Sequence, residues 1–310
     1  MPASRRALPR FLPACRRSAS TSDPMSRPQR RRIKGRVALL LTALAAVIIV
    51  WQNWSLLSSD FDERTVVFER WKRFTAYGAG YALPGTPDLD RLAERLKAEG
   101  VALGAPIFIR IFKREFELEA WLLRDGRFQK FATYPICRWS GQLGPKIRQG
   151  DRQAPEGFYT VDEQALNPQS RWHRSFNLGF PNAFDRAHAR TGSFVMVHGG
   201  CSSVGCYAMT NPVIDEIWQL VTAALAGGQD RFQVQVFPFR MTEANLASRA
   251  HSPQVAHWRD LKRGYDLFEA DRRPPKVGVC GQNYTFEAAG TVADGSTPIE
   301  PKCPRAQPGS

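Results

Sequence analysis

Between Ser193 and Met209 three side chains could do covalent chemistry: His198, Cys201 and Cys206. An imidazole beside a thiol favours the thiolate, the nucleophilic form, so the pair is minimal equipment for covalent acyl transfer. Cys206 is the candidate nucleophile and His198 the candidate general base and acid. The backbone N–H groups of Gly205 and Tyr207 are candidate donors to an oxyanion formed on an attacked carbonyl. Three other readings of the same residues remain open. His198, Cys201 and Cys206 could ligate zinc, although no fourth ligand is near and CxxC spacing is absent. Cys201 and Cys206 could form a disulfide, or both could be small buried residues.

The local pattern says how these groups would be positioned. Phe194 to Val197 is a short apolar run that reads as a buried strand with His198 at its carboxyl end. Gly199 and Gly200 allow a sharp turn, and Gly205 keeps a side chain away from the sulfur. His173 and His188 are rival bases, but neither stands at a strand end close to Cys206.

His198-Gly199 followed by Ser203-x-Gly205-Cys206 resembles the signature of the L,D-transpeptidase catalytic-domain (YkuD-like) family. Gly144-Pro145-Lys146, Gly150-Asp151, Pro155-Glu156-Gly157, Phe180-Pro181-Asn182, Asp185-Arg186, Cys206-Tyr207-Ala208-Met209 and Phe237-Pro238-Phe239-Arg240 resemble its YafK-type murein branch. These motifs fall in order between residues 105 and 245, far more specific than a lone match. The resemblance implies a β-sandwich catalytic domain that needs no metal or organic cofactor. It implies attack by Cys206 on the meso-diaminopimelate carbonyl of a peptidoglycan stem peptide, with the acyl group passing to an amine or to water. It also implies that the Gly199 carbonyl orients His198. Two departures stand out: Val204 replaces the family's second histidine, and Ala208 replaces its arginine. How a substrate carboxylate is held is thereby left open. Arg138, Lys146 and Arg148, in the long loop between Tyr134 and Gly157, are candidates, as are Ser203, Asn182 and Arg186; a solvated face is the alternative. Hydrolysis of diaminopimelate-linked material, including a wall-linked envelope protein, is a variant of the same chemistry. A non-catalytic peptidoglycan-binding envelope protein is the alternative from another class.

The chain has 310 residues and a formal charge of +14. Residues 1–36 hold eleven Arg or Lys against Asp23 alone, so the remainder carries 32 basic and 28 acidic residues, or +4. The excess belongs to the amino-terminal tail, which argues against a nucleic-acid partner. The apolar run 37–57, with Trp51 and Trp54, follows the basic cluster 30–36 and reads as a signal-anchor or transmembrane helix. That topology puts the remainder in the periplasm, anchored in the inner membrane, with a cleaved signal as the alternative and Met25 as a second candidate start.

Five segments follow: a basic tail (1–36), the anchor (37–57), a juxtamembrane helical region (58–104), the catalytic domain (105–240) and an extension (241–310). The expected class is mostly β with flanking helices (α+β). In the juxtamembrane region Phe68, Trp71 and Phe74 recur at helical spacing and read as core packing, and Pro87–Gly100 reads as a short helix. Strands are expected over 106–112, 116–122, 128–131 and 232–237, with a hairpin at Asp125-Gly126. Pro212–Ala226 reads as a helix closed by Gly227-Gly228, and another is expected from Ser252 through about Glu269. The tail beyond Pro275 reads as irregular and without a core of its own, pinned if Cys280 pairs with Cys303. Cysteines 137, 201, 206, 280 and 303 are odd in number, so complete pairing leaves one thiol free, and Cys206 is the expected one.

Overall fold

Period-two apolar alternation lets a strand bury one face, and the central strands here bury both. In the computed structural model, which describes residues 39–49, 54–291 and 295–303, β1 (Ile107–Phe112) and β10 (Phe232–Phe237) are buried along their whole length. They pair in parallel at the centre of a five-stranded sheet of order β3-β2-β1-β10-β5, with β2 Glu117–Arg124, β3 Arg127–Pro135 and β5 Gly157–Val161. A second five-stranded sheet has the order β4-β9-β8-β7-β6. Its strands are β4 Arg138–Trp139, β6 Leu166–Ser170, β7 His173–Asn177, β8 Met196–His198 and β9 Tyr207–Ala208.

One face of β1 and β10, carrying Ile107, Ile109, Ile111, Val234 and Val236, shares the main core with Phe176, Val197 and Tyr207 of the second sheet. Helix α5 (Asn211–Ala226) closes that core with Val213, Ile214, Ile217 and Leu220. The other face carries Phe108, Arg110 and Phe112 and is covered by α7 (Val255–Asp271). Arg110, 1% exposed, donates to Glu269 of α7 at 2.6 Å and lies over the ring of Tyr265. The tail is therefore not irregular: β11 (Lys276–Cys280) and β12 (Asn283–Glu287) form a hairpin. Val277, Val279, Tyr284 and Ile299 complete the second core, and Cys280 pairs with Cys303. The apolar residues that do this are few and spaced by turn formers, which hid the hairpin in the sequence.

The chain divides into two units, Met1–Asn53 and Trp54–Ser310. In the first, residues 39–49 form helix α1, with Leu39, Leu44 and Val47 exposed. Among the described residues no helix is long and apolar enough to cross a membrane. Part of the span expected over 37–57 lies outside the described residues.

The second unit opens with α2 (Trp54–Gly78), followed by a single 3₁₀ turn and α3 (Leu92–Ala98) in place of the helix expected over 87–100. The core-packing reading of α2 is overturned: Phe68, Trp71 and Phe74 are 58%, 62% and 51% exposed. The helix docks through Val66, Arg70 and Arg73 instead. Arg70 lies 4.2 Å over the ring of Trp139 and donates to the Gly141 carbonyl. Arg73 lies over Phe116 and donates to the Ile136 carbonyl at 3.2 Å. Guanidinium planes satisfy open carbonyls and stack on rings at once, so they outcompete the aromatic stripe for the docking face.

The long loop 141–156 is held by Lys113, which leaves β1 fully buried. Its ammonium donates to the carbonyls of Gln142, Gly144 and Ala154 and to Glu156 at 2.9 Å. Glu156, also 0% exposed, accepts from Gly144 N–H and from Trp258 Nε1 of α7. Removing one member of such a pair strands a buried charge, at a cost of about 3–5 kcal/mol. Lys113→Ala is expected to lower stability by that amount, read as the midpoint shift of chemical denaturation. An unchanged midpoint would show that the loop does not depend on the pair.

Candidate active site

β8 and β9 run in parallel, with Val197 beside Tyr207 and His198 beside Ala208. Alternate residues of a strand share a face, so Met196, His198, Cys206 and Ala208 all project to the same side. Cys206 directly precedes β9, so in the same register it stands beside Met196 and diagonal to His198 across the two strands. The Cys206 sulfur lies 3.5 Å from the backbone N–H of Met196 and 3.7 Å from the carbonyl of Phe194. His198 Nδ1 lies 2.6 Å from the Gly199 carbonyl. A carbonyl only accepts, so Nδ1 carries the proton and Nε2 keeps its lone pair. Trp172 stacks against the imidazole, ring centres 6.0 Å apart.

The loop between the two groups is fixed by small residues. Gly205 has φ +119°, a backbone conformation that side chains rarely adopt, whereas a Cβ there would meet only the Gln153 carbonyl at 3.6 Å. Its glycine is demanded by the backbone rather than by crowding at the sulfur. At Gly199 space decides, because a Cβ would lie 2.6 Å from Asn211 Oδ1 and 3.1 Å from the Trp172 carbonyl. Cys201 pairs with Cys137, which removes both the zinc reading that used Cys201 and the Cys201–Cys206 disulfide. Cys206 is the free thiol among the described residues.

The family profile of the L,D-transpeptidase catalytic domain (YkuD) matches residues 118–236. The protein named "Putative L,D-transpeptidase YafK" of Escherichia coli (strain K12) is 50% identical over 182 residues, which is 59% of this chain and 74% of that protein. The chain belongs to the YkuD L,D-transpeptidase family. Among solved structures, the helical cell shape determining protein Pgp2 of Campylobacter jejuni is 19% identical. The match covers 57% of this chain and 63% of that one, with a TM-score of 0.35. Bd1075 of Bdellovibrio bacteriovorus is 21% identical over 53% of this chain and 60% of that one, with a TM-score of 0.31.

Against the family motif, the remaining candidate residues sort by what they touch. Ser203 is a staple of the loop: its hydroxyl accepts from Cys206 N–H at 3.1 Å and donates to the Cys206 carbonyl at 2.7 Å. Gly205 N–H donates to Ser140 and Ser203, and Tyr207 lies in a strand flanked on both sides. The oxyanion donor expected at Gly205 is therefore engaged within the fold at rest. Asn182 caps α4 (Ala183–Ala187) and donates to the Phe158 carbonyl at 2.7 Å, so it builds a wall rather than facing substrate. Arg186 donates to the Pro181 carbonyl, Arg138 lies over Phe74 of α2, and Arg148 is exposed. His173 pairs with Asp215 and His188 lies on Phe184, away from the thiol.

Lys146 differs. It is buried, held by Asp151 and by the Arg148 carbonyl, and its charge reaches Cys206. Ser140 and Asn211, which shape the loop from elsewhere in the chain, carry no signature in the sequence.

Burial pushes the Cys206 thiol up, against the Met196 N–H and the Lys146 charge, which pull it down. Burial likewise lowers the His198 imidazole, against its bond to the Gly199 carbonyl. Burial therefore works against the ion pair that adjacency suggests, because desolvation penalises both the thiolate and the imidazolium. Alkylation of Cys206 by iodoacetamide should therefore be slow at neutral pH and still climb above pH 9, the ordinary cysteine value. A plateau from mildly acidic pH upward would instead reveal a preformed thiolate–imidazolium pair.

Proposed function

We propose that this protein is a cysteine acyltransferase of peptidoglycan stem peptides, acting at the meso-diaminopimelate carbonyl linked to D-alanine. The observation that carries this reading is the register of β8 and β9, which sets His198 and the free thiol of Cys206 on one face. Nε2 of His198 takes the thiol proton as the sulfur bonds to the carbonyl carbon. The C–N bond then breaks, and the same proton passes from the imidazole to the leaving amine. The thioester is opened by an amine, giving a cross-link or protein attachment, or by water, giving hydrolysis, with His198 accepting the incoming proton. A base that must collect a proton in each half-reaction works better uncharged at rest, as burial leaves it.

Lys146 supports the reading where the family arginine is replaced by Ala208. It supplies a positive charge that acts on the sulfur from a different loop, and a substrate carboxylate would share it with Asp151, which holds it at rest. Lys146→Met is expected to reduce kcat/KM on tetrapeptide by roughly ten- to a hundred-fold, chiefly through KM. An unaltered KM would remove Lys146 from substrate binding.

The reading puts the catalytic unit in the periplasm, held by an anchor at 37–57. The disulfides Cys137–Cys201 and Cys280–Cys303 support an oxidising compartment. The deciding experiment incubates sacculi, with their attached proteins, with the full-length protein and with Cys206→Ala, and reads muropeptides by mass spectrometry. Consumption of tetrapeptides, or release of diaminopimelate-linked material, by the wild type alone is the expected result. Identical profiles would make the protein a peptidoglycan-binding component instead.

A further inference from the structure

Helix α2 presents two different faces. Val66, Arg70 and Arg73 fasten one of them to the catalytic unit, so the helix cannot roll. That attachment leaves Val67, Phe68, Trp71 and Phe74 on an outward stripe, each more than half exposed. Seven, eleven and fourteen residues before Phe68 stand Phe61, Leu57 and Trp54, so the apolar positions run the length of the helix. A helix of 25 residues spans about 37 Å. Its first residues belong to the apolar run 37–57.

We infer that this stripe of α2 rests on a lipid bilayer and seats the catalytic unit against the membrane surface. Tryptophan and phenylalanine on one outward face of a helix are the apolar anchors of an interfacial helix, although α2 carries acids (Asp60, Asp62, Glu63, Glu69) as well as bases. Arg64 and Lys72 are the exposed cations beside the stripe. Arg64 suits a lipid surface. It lies one turn before Phe68 on the same side, where a long side chain reaches lipid phosphates while its stem stays apolar. The stripe also runs on from residues 54–57 of the apolar run 37–57, a continuity that a lipid surface explains and a pairing of two copies does not.

The consequence concerns reach. Trp139 and Arg138 of β4 lie under Arg70 and beside Phe74. β4 is the edge strand next to β9, which Cys206 enters. The thiol therefore lies one strand spacing, about 5 Å, in from the edge that α2 covers. A bilayer under α2 restricts the enzyme to peptides presented close to the membrane surface. The contact itself is independent of the catalytic reading.

The test reconstitutes the full-length protein in vesicles of phosphatidylethanolamine and phosphatidylglycerol that contain a lipid with a photoactivatable acyl chain. Adducts are then mapped by mass spectrometry. Residues 64–75 should carry about ten-fold more adduct than Leu103, Phe194 and Val204, which are equally exposed apolar residues elsewhere. The triple variant Phe68→Ser, Trp71→Ser, Phe74→Ser should lose that labelling, at Val67 as well, while its Cys206 alkylation profile stays unchanged. Adducts confined to 37–57, labelling of α2 no denser than at Phe194, or labelling that survives the triple substitution would each overturn the inference.

Discussion

The buried pair of Lys113 and Glu156 is the constraint on which the cleft depends. The loop 141–156 is too rich in glycine and polar residues to hold itself by apolar contact. A single ammonium gathers the carbonyls of Gln142, Gly144 and Ala154, and one carboxylate takes the Gly144 N–H and the Trp258 indole. Two charges without solvent are costly, but here every lone pair and proton named has a partner, which is the condition for keeping them. Trp258 belongs to α7, so the carboxyl-terminal extension also supports the wall that carries Lys146. The wall and the extension are one mechanical system.

The catalytic loop is held differently, by many small devices. The Cys137–Cys201 bond fixes its beginning, joining cysteines 64 positions apart in the chain. Ser203 and Ser140 take the N–H groups of Gly205 and Cys206, and the Gly199 carbonyl fixes the imidazole tautomer. None of these groups needs to be charged. Burial in that setting disfavours charge on both Cys206 and His198.

α2 and α7 play opposite roles on the two sides of the unit. α7 turns its aromatic residues inward, where Phe268 packs on Phe108 and Trp121. α2 turns its arginines inward and its aromatic residues outward. The helical spacing of the apolar residues is similar in the two, and the difference lies in what each helix finds opposite it. α7 meets the open face of a sheet; α2 meets ring faces and unpaired carbonyls that guanidinium groups satisfy better.

Local pattern determined a great deal. Period-two alternation located β1, β2, β3 and β10, a proline start and a glycine stop bracketed α5, and motif order pointed to the L,D-transpeptidase family. The glycines about His198 and Cys206 marked a tight turn in the sequence, and the fold needs Gly199 for space and Gly205 for its φ. Tertiary structure decided the rest. Asn182 and Ser203 look like substrate ligands in a polar stretch, yet one caps a helix and the other staples a loop, because the backbone folds Asp185 and Cys206, three residues on, back to them and brings Phe158 and Ser140 alongside. The tail gains a core because its few apolar residues meet Phe158 and Trp258. The Cys206 thiol is pushed up and the His198 imidazole down because burial is a property of everything packed around them. Spacing along a chain states which side chains share a face, but only the folded chain decides what that face meets.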